Sequence, residues 1–131
     1  MASANSTFTV DVVGEITGEK WVGSFTTRLQ LSHADQFRRD EIRRRLLGAN
    51  PESASPRALN AAEVFSEISI HITDAPQWWK GNNGGLDLAD DNVVAAVFDG
   101  IVAEKTKAAA ETKKRADAAL EELKKTAPVT K

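Results

Sequence analysis

A chain of 131 residues with 41% hydrophobic residues is long enough for one domain with a modest core. Its 17 basic and 19 acidic residues give a formal net charge of -2, without the basic excess typical of dedicated nucleic-acid-binding proteins. The chain has no cysteine, which excludes disulfides, thiolate nucleophiles and cysteine metal sites.

The N-terminal part predicts a β-hairpin. Residues 1–7 are small and polar, which predicts a flexible N-terminus. Apolar and polar residues alternate from Phe8 onward, Thr17 and Gly18 supply a turn, and a second β-rich stretch follows. The hairpin is expected over about 8–29. Because an isolated hairpin is only marginally stable in water, it must pack on helices or pair with another chain.

A first helix is predicted after the hairpin. Ser32 is a favourable N-cap, with Asp35 three residues later as in a capping box. The helix should end at Leu47, because Gly48 is a good residue for the position after a helix. Its apolar anchors are predicted to be Phe37, Ile42, Leu46 and Leu47.

A second helix is predicted from the Ser55-Pro56 pair, which places a cap residue before a proline in the first turn. Its apolar residues follow a helical period. The isoleucines near its end, at positions 68, 70 and 72, also alternate as in a strand, but the helix is favoured over the whole stretch. Pro76 should stop it.

The last helix is predicted to start near Asn92, capped by Asp90 or Asp91. Beyond Ala103 the sequence is mostly Ala, Lys, Glu and Arg, all good helix formers. This segment indicates a solvated helical extension or a weak coiled-coil strand, which Ala127-Pro128 should end.

The expected fold class is therefore α+β, with an N-terminal β-hairpin packed on about three helices and a long C-terminal helical extension. The predicted organisation is a flexible segment at residues 1–7, an α+β domain at 8–103, and an Ala/Lys/Glu-rich extension with a frayed end at 104–131.

The loop from Pro76 to Leu88 is the strongest candidate for an interaction element. Trp78 and Trp79 are adjacent and lie just before a Gly-Asn loop. Adjacent side chains point in different directions, so one indole is expected to anchor the loop and the other to be available to a partner. The alternative is that one or both rings close a small core. Leu86 and Leu88 join the tryptophans as candidate partner-binding residues.

An arginine cluster on the first helix is the second candidate surface. It has three interpretations: a solvated face paired with local carboxylates, a surface for an acidic partner protein, or a phosphate-binding face. Nucleic acid ranks last, because the chain has no net basic charge. The candidate residues are Arg38, Arg39, Arg43, Arg44 and Arg45.

Nothing in the sequence predicts a reaction centre, a metal site or a cofactor. His33 and His71 have no metal-binding spacing, and nucleotide-binding and hydrolase motifs are missing. An oxygen-rich cluster around Asp87 and Asp90 lacks the EF-hand pattern, so a turn followed by a helix cap is favoured. The N-terminus does not match a signal peptide, and Val93–Phe98 is too short an apolar run for a membrane helix. We therefore expect a soluble protein.

The order of several short motifs resembles small proteins encoded among the virion morphogenesis genes of tailed bacteriophages. The resemblance covers about residues 8 to 102. Its motifs are Gly18-Glu19-Lys20-Trp21-Val22-Gly23-Ser24-Phe25, the Arg-rich helix ending Leu46-Leu47-Gly48, the loop from Pro51 to Arg57, the helix from Ala62 to Ile68, and Asp74-Ala75-Pro76-Gln77-Trp78-Trp79 with its Gly-Gly-Leu-Asp-Leu tail.

This resemblance implies a non-enzymatic protein that binds other phage structural proteins. Some members are labelled tail assembly chaperones, which would coat the tape measure protein and help to recruit tail tube subunits. The alternative is a minor virion, capsid decoration or connector protein that is retained in the particle. The implied location is the host cytoplasm during assembly or the virion, and a homo-oligomer is left open.

Overall fold

The computed structural model describes residues 5–126 and confirms the α+β class. A three-stranded antiparallel sheet packs on helices, and a long helix ends the described chain. The elements are β1 (Asn5–Val13), β2 (Lys20–Arg28), α1 (His33–Leu47), a 3-10 turn (Pro51–Ser53), α2 (Pro56–His71), β3 (Ile72–Asp74), α3 (Gln77–Lys80) and α4 (Asp91–Thr126).

The predicted hairpin forms the first two strands of the sheet. Its register runs without a bulge from Asn5 opposite Arg28 to Val13 opposite Lys20. The hairpin starts three residues earlier than predicted, within the stretch that the sequence assigns to a flexible N-terminus. Ser6 donates a hydrogen bond to Glu104 of α4, which ties this early part of β1 to the last helix. Residues 1–4 lie outside the described chain.

The third strand corrects the prediction that helix continues up to Pro76. Helix α2 ends at His71, and Ile72–Asp74 pairs with Thr26 and Thr27 of β2. The His71 ring nitrogen Nδ1 lies 2.7 Å from the Arg28 carbonyl oxygen, a hydrogen bond that fixes the helix end beside β2. Of the alternating isoleucines, those at positions 68 and 70 therefore lie in helix α2, and the one at position 72 lies in strand β3.

The core lies between the inner face of the sheet and helices α2, α3 and α4. Phe8 and Phe25 stack with ring centroids 5.5 Å apart. A Cβ atom on Gly100 would lie 2.3 Å from the Phe8 ring, so glycine is what lets α4 approach β1 this closely. The buried core residues are Val10, Phe25, Ile68, Trp79, Val94, Val97 and Ile101.

Helix α1 has the predicted ends, and of its four predicted apolar anchors Ile42 and Leu47 are half-buried. Ser32 and Asp35 form the capping box, and Gly48 is the C-cap with a positive φ. Phe37, however, is 75% exposed, and Leu46 is exposed as well. The prediction that these two residues anchor the helix is wrong, and two ion pairs between α1 and α2 contribute to the contact.

Helix α4 spans 36 residues, about 54 Å at 1.5 Å per residue. It starts at Asp91, one residue before the predicted Asn92, so Asp90 directly precedes the helix. Its first turns pack in the core, but every side chain from Ala109 to Lys125 is exposed. We call residues 5–104 the head and residues 105–126 the projecting helix. The predicted stop at Ala127-Pro128 lies outside the described residues.

Candidate protein-interaction surfaces

Trp79 is the indole that anchors the tryptophan loop. It is buried and meets Phe25 edge-on, with ring centroids 5.4 Å apart. The loop then turns back over the ring with positive φ at Asn83, Gly84 and Gly85, the conformation that the Asn-Gly pair predicts. A Cβ atom on Gly85 would lie 2.4 Å from the Trp79 ring. Trp79 is therefore a core residue, and the loop is shaped to cover it.

Trp78 is less available to a partner than the sequence suggests. Its Nε1 donates a hydrogen bond to the Val22 carbonyl oxygen at 2.9 Å. Its ring packs against Trp21 and Phe25, with centroids 5.0 and 5.7 Å away. The side chain is half-buried. The expectation that one indole is free for a partner is therefore wrong for the N–H group of Trp78, which is already bonded within the chain. Only part of the Trp78 ring is exposed.

The two candidate leucines lie in different environments. Leu86 is 43% exposed on the loop, whereas Leu88 is half-buried and packs against the core. Of the candidate residues in this loop, Leu86 and the exposed part of Trp78 remain at the surface.

Two arginines of the cluster join α1 to α2. Arg39 pairs with Glu67 at 2.6 Å, and Arg43 pairs with Glu63 at 2.8 Å. The hydrogen bond that Arg39 donates to the Glu67 carboxylate, despite partial burial, raises the pKa of Arg39 above its ordinary value. These two guanidinium groups therefore add ion pairs to the contact between α1 and α2.

Arg38 belongs to a second network at the start of α1. It lies 3.2 Å from the buried Asp35, which also accepts a hydrogen bond from Arg28 at 2.9 Å. The pKa of Asp35 is lowered, first by the hydrogen bond from the Ser32 backbone and also by the two arginines. Arg38 is thus positioned by the same capping box that starts the helix.

The outer face of α1 carries the remaining cations and an aromatic ring. Arg45 forms an exposed pair with Glu41 at 3.6 Å. Arg44 is exposed and forms no ion pair within residues 5–126. Phe37 lies seven residues before Arg44, so the two side chains share one face of the helix. We call this face, formed by Phe37, Glu41, Arg44 and Arg45, the outer α1 surface.

The structure assigns the oxygen-rich cluster to structural roles. Asp90 is buried and accepts hydrogen bonds from the Ile16 and Thr17 backbones, the Thr17 hydroxyl and the Trp21 indole, at 2.6 to 3.3 Å. These bonds, the Thr17 hydroxyl first, lower its pKa despite burial. Asn92 contacts the same hairpin turn through Val13 and Glu15. The sequence predicted a helix cap here but not this clamp on the hairpin.

Neither histidine lies in a metal-binding arrangement. His71 is buried between Arg28 and Glu67, and His33 is exposed at the start of α1. Within the described chain, no cluster of three or more histidine, aspartate or glutamate side chains has the geometry for a metal ion. None of the described helices combines the length and the apolarity needed to span a bilayer.

Comparison of the chain with protein-family models, curated proteins and solved structures finds no match.

Proposed function

We propose that this protein is a non-enzymatic phage assembly or structural protein that binds other virion proteins. Two things support the proposal. The motif order resembles the morphogenesis proteins of tailed phages, and the head displays a surface with the residue types that dominate protein–protein contacts. Within that setting the leading form is a tail assembly chaperone that binds the tape measure protein and tail tube subunits.

The single observation that carries the proposal is the outer α1 surface. Phe37 is 75% exposed and is not part of the core cluster. Next to it, Arg44 presents a guanidinium group that no carboxylate of the described chain holds. An exposed aromatic ring beside an available arginine matches a partner that offers an apolar side chain and a carboxylate.

The internal ion pairs support assigning the proposed contact to one part of the arginine cluster. Arg39 and Arg43 are committed to α2, so the contact role that the sequence gives to all five arginines is proposed here for Arg44 and Arg45 first, with Arg38 at the edge. The same commitment leaves fewer cations for phosphate groups, so a protein partner is favoured over nucleic acid.

The test is binding of the full chain to the tape measure and tail tube proteins of the phage that encodes it. Replacing Phe37 and Arg44 together by alanine should weaken binding by about 2 kcal/mol or more, roughly thirtyfold, because both are hot-spot residue types. The matched control replaces Leu59 and Arg57 on α2, which are also exposed. Equal binding by the two double variants would argue against the outer α1 surface.

A minor virion or decoration protein is the alternative form of the same proposal. Mass spectrometry of purified particles separates the two. A chaperone should be missing from mature particles, whereas a decoration or connector protein should be present at a fixed copy number.

A further inference from the structure

The projecting helix carries a heptad seam, which is a repeat of alternating three- and four-residue steps on one face. Six consecutive positions follow this spacing. Leu120 and Leu123, which belong to it, are 54% and 64% exposed. The seam consists of Thr106, Ala109, Lys113, Ala116, Leu120 and Leu123.

The seam faces away from the head. The side of α4 that touches the head is marked by Glu104, which accepts a hydrogen bond from Ser6, and by the half-buried Ala108. At 100° per residue, the centre of the seam lies more than a quarter of a turn from that side. Ala109, near the head end of the seam, borders a cleft with Leu29 and Gln30 of the head, so the part of the seam from Lys113 to Leu123 is the part open to a second helix.

The sizes of the seam residues match a second copy of this chain in the antiparallel direction. When Lys113 is placed opposite Ala116 of the other copy, Ala109 faces Leu120 and Thr106 faces Leu123. Every leucine then meets a small side chain, and the arrangement repeats by symmetry. The overlap of residues 106 to 123 is about 26 Å long at 1.5 Å per residue.

A parallel pair in register fits poorly. It would place Lys113 opposite Lys113, and two lysines at one seam layer repel each other. It would also put alanine opposite alanine in two layers and leave them underpacked.

The charges along the helix favour the same antiparallel direction. Residues 104–115 carry five basic and two acidic side chains, whereas residues 116–126 carry three acidic and two basic ones. Antiparallel pairing brings the basic half of each helix beside the acidic half of the other. It also avoids like charges at the flanking positions, where Ala110 faces Asp117 and Ala103 faces Lys124.

We propose that two copies of this chain associate through their projecting helices as an antiparallel coiled coil centred between residues 114 and 115. The contact is small compared with a standard interface of about 1,600 Å², so the dimer forms reversibly and depends on concentration. This association does not involve the outer α1 surface, so it stands or fails separately from the proposed function.

The first test is sedimentation equilibrium of the full chain from low micromolar to near-millimolar concentration. The wild-type mass should rise from monomer towards dimer. Leu120→Lys should abolish the rise, because it removes one of the two leucines that each seam contributes and puts a second lysine in the seam. The matched control is Ala118→Lys, which adds the same charge at an exposed position off the seam and should dimerise like the wild type. A chain that is monomeric throughout, or equal effects of the two lysines, would overturn the proposal.

The second test establishes direction. The natural chain has no cysteine, so single introduced thiols are unique. Mild oxidation of an Ala109→Cys and Leu120→Cys mixture should give a disulfide-linked heterodimer, whereas each variant alone should give little. If each variant alone cross-links strongly, and the mixture gives no more disulfide-linked dimer than the single variants do, the pair is parallel and the antiparallel assignment is overturned.

Discussion

One carboxylate organises the turn end of the head. Asp90 directly precedes α4, yet its oxygens accept bonds from the β1–β2 turn about seventy residues earlier in the chain. The backbone of Gly14 lies so close that a Cβ atom there would be 2.1 Å from Asp90 Oδ2. This pairing of a buried carboxylate with a glycine fixes the hairpin against the start of the last helix. The hydrogen bonds that the ionised Asp90 carboxylate accepts stabilise its charge although the side chain is buried.

Asp90→Asn should lower the urea midpoint of unfolding at neutral pH, because an amide cannot accept all the hydrogen bonds that the carboxylate receives. The folded-state pKa of Asp90 is lowered, so its stabilisation is fully present above the ordinary aspartate pKa of about 3.9 and is lost as pH falls through the lower folded value. The difference in urea midpoint between the wild type and Asp90→Asn should therefore become smaller below about pH 4.

The neighbouring Asp91 provides the control for this measurement. Its side chain is 81% exposed and, among residues 5–126, pairs with Arg57 alone, at 3.4 Å. Asp91→Asn should change the free energy of unfolding by less than about 0.5 kcal/mol. A gap between wild type and Asp90→Asn that stays constant from neutral to acid pH would contradict the proposed role of the carboxylate charge.

At the scale of the element, the ends of the helices were predictable and their packing faces were less so. Caps are local: Ser32 with Asp35, Gly48, and Ser55 before Pro56 each act within one turn, and all appear as predicted. Phe37 was misplaced because apolar character alone suggested burial. Two glutamates on α2 pair with the face of α1 that meets the rest of the protein, and the sequence of a single helix does not contain that information.

The same distinction applies to the sheet and to the tryptophan loop. Strand β3 has three residues and exists because β2 offers an edge, so only its alternation was visible in the sequence. The Asn-Gly turn was predictable from its positive φ requirement. The sequence did not predict which of the two adjacent indoles is buried, because that depends on where Phe25 and Gly85 lie in space.

The contact between α1 and α2 should depend on the pair Arg39–Glu67. Both side chains are mostly buried, and their atoms are 2.6 Å apart. Glu67→Gln should cost about 1–2 kcal/mol of unfolding free energy, because it leaves a shielded guanidinium group short of its charged partner. Chemical denaturation measures this, and a double-mutant cycle with Arg39→Gln should give a coupling energy of similar size.

The exposed pair on the same helix is the comparison. Glu41→Gln removes the partner of Arg45, and both side chains of that pair are largely exposed to solvent. It should cost less than about 0.5 kcal/mol. If the two substitutions cost the same, α1 is not held by its ion pairs, and the outward position of Phe37 would need another explanation.

At the scale of the whole molecule, the described chain has two parts: a head with its own core, and the projecting helix that extends from it. The core residues contributed by α4 end at Ile101. Beyond this point the helix is maintained by helix-forming residues and by exposed pairs such as Arg115–Glu111 and Lys124–Glu121. Such a helix is only marginally stable alone, so its second half is the part of the molecule with most to gain from a partner.

The head should therefore fold without the end of the projecting helix. A chain ending at Thr112 loses only side chains that are exposed among those described. At low concentration, where the full chain is monomeric, its thermal midpoint should stay within about 3 °C of the full chain, while the helical circular dichroism per molecule falls. Ile101→Ala in the full chain is the control on the same helix: it truncates a buried side chain and should cost about 2–5 kcal/mol. A shortened chain that melts as early as this core variant would mean that the projecting helix stabilises the head, and the division into two parts would be wrong.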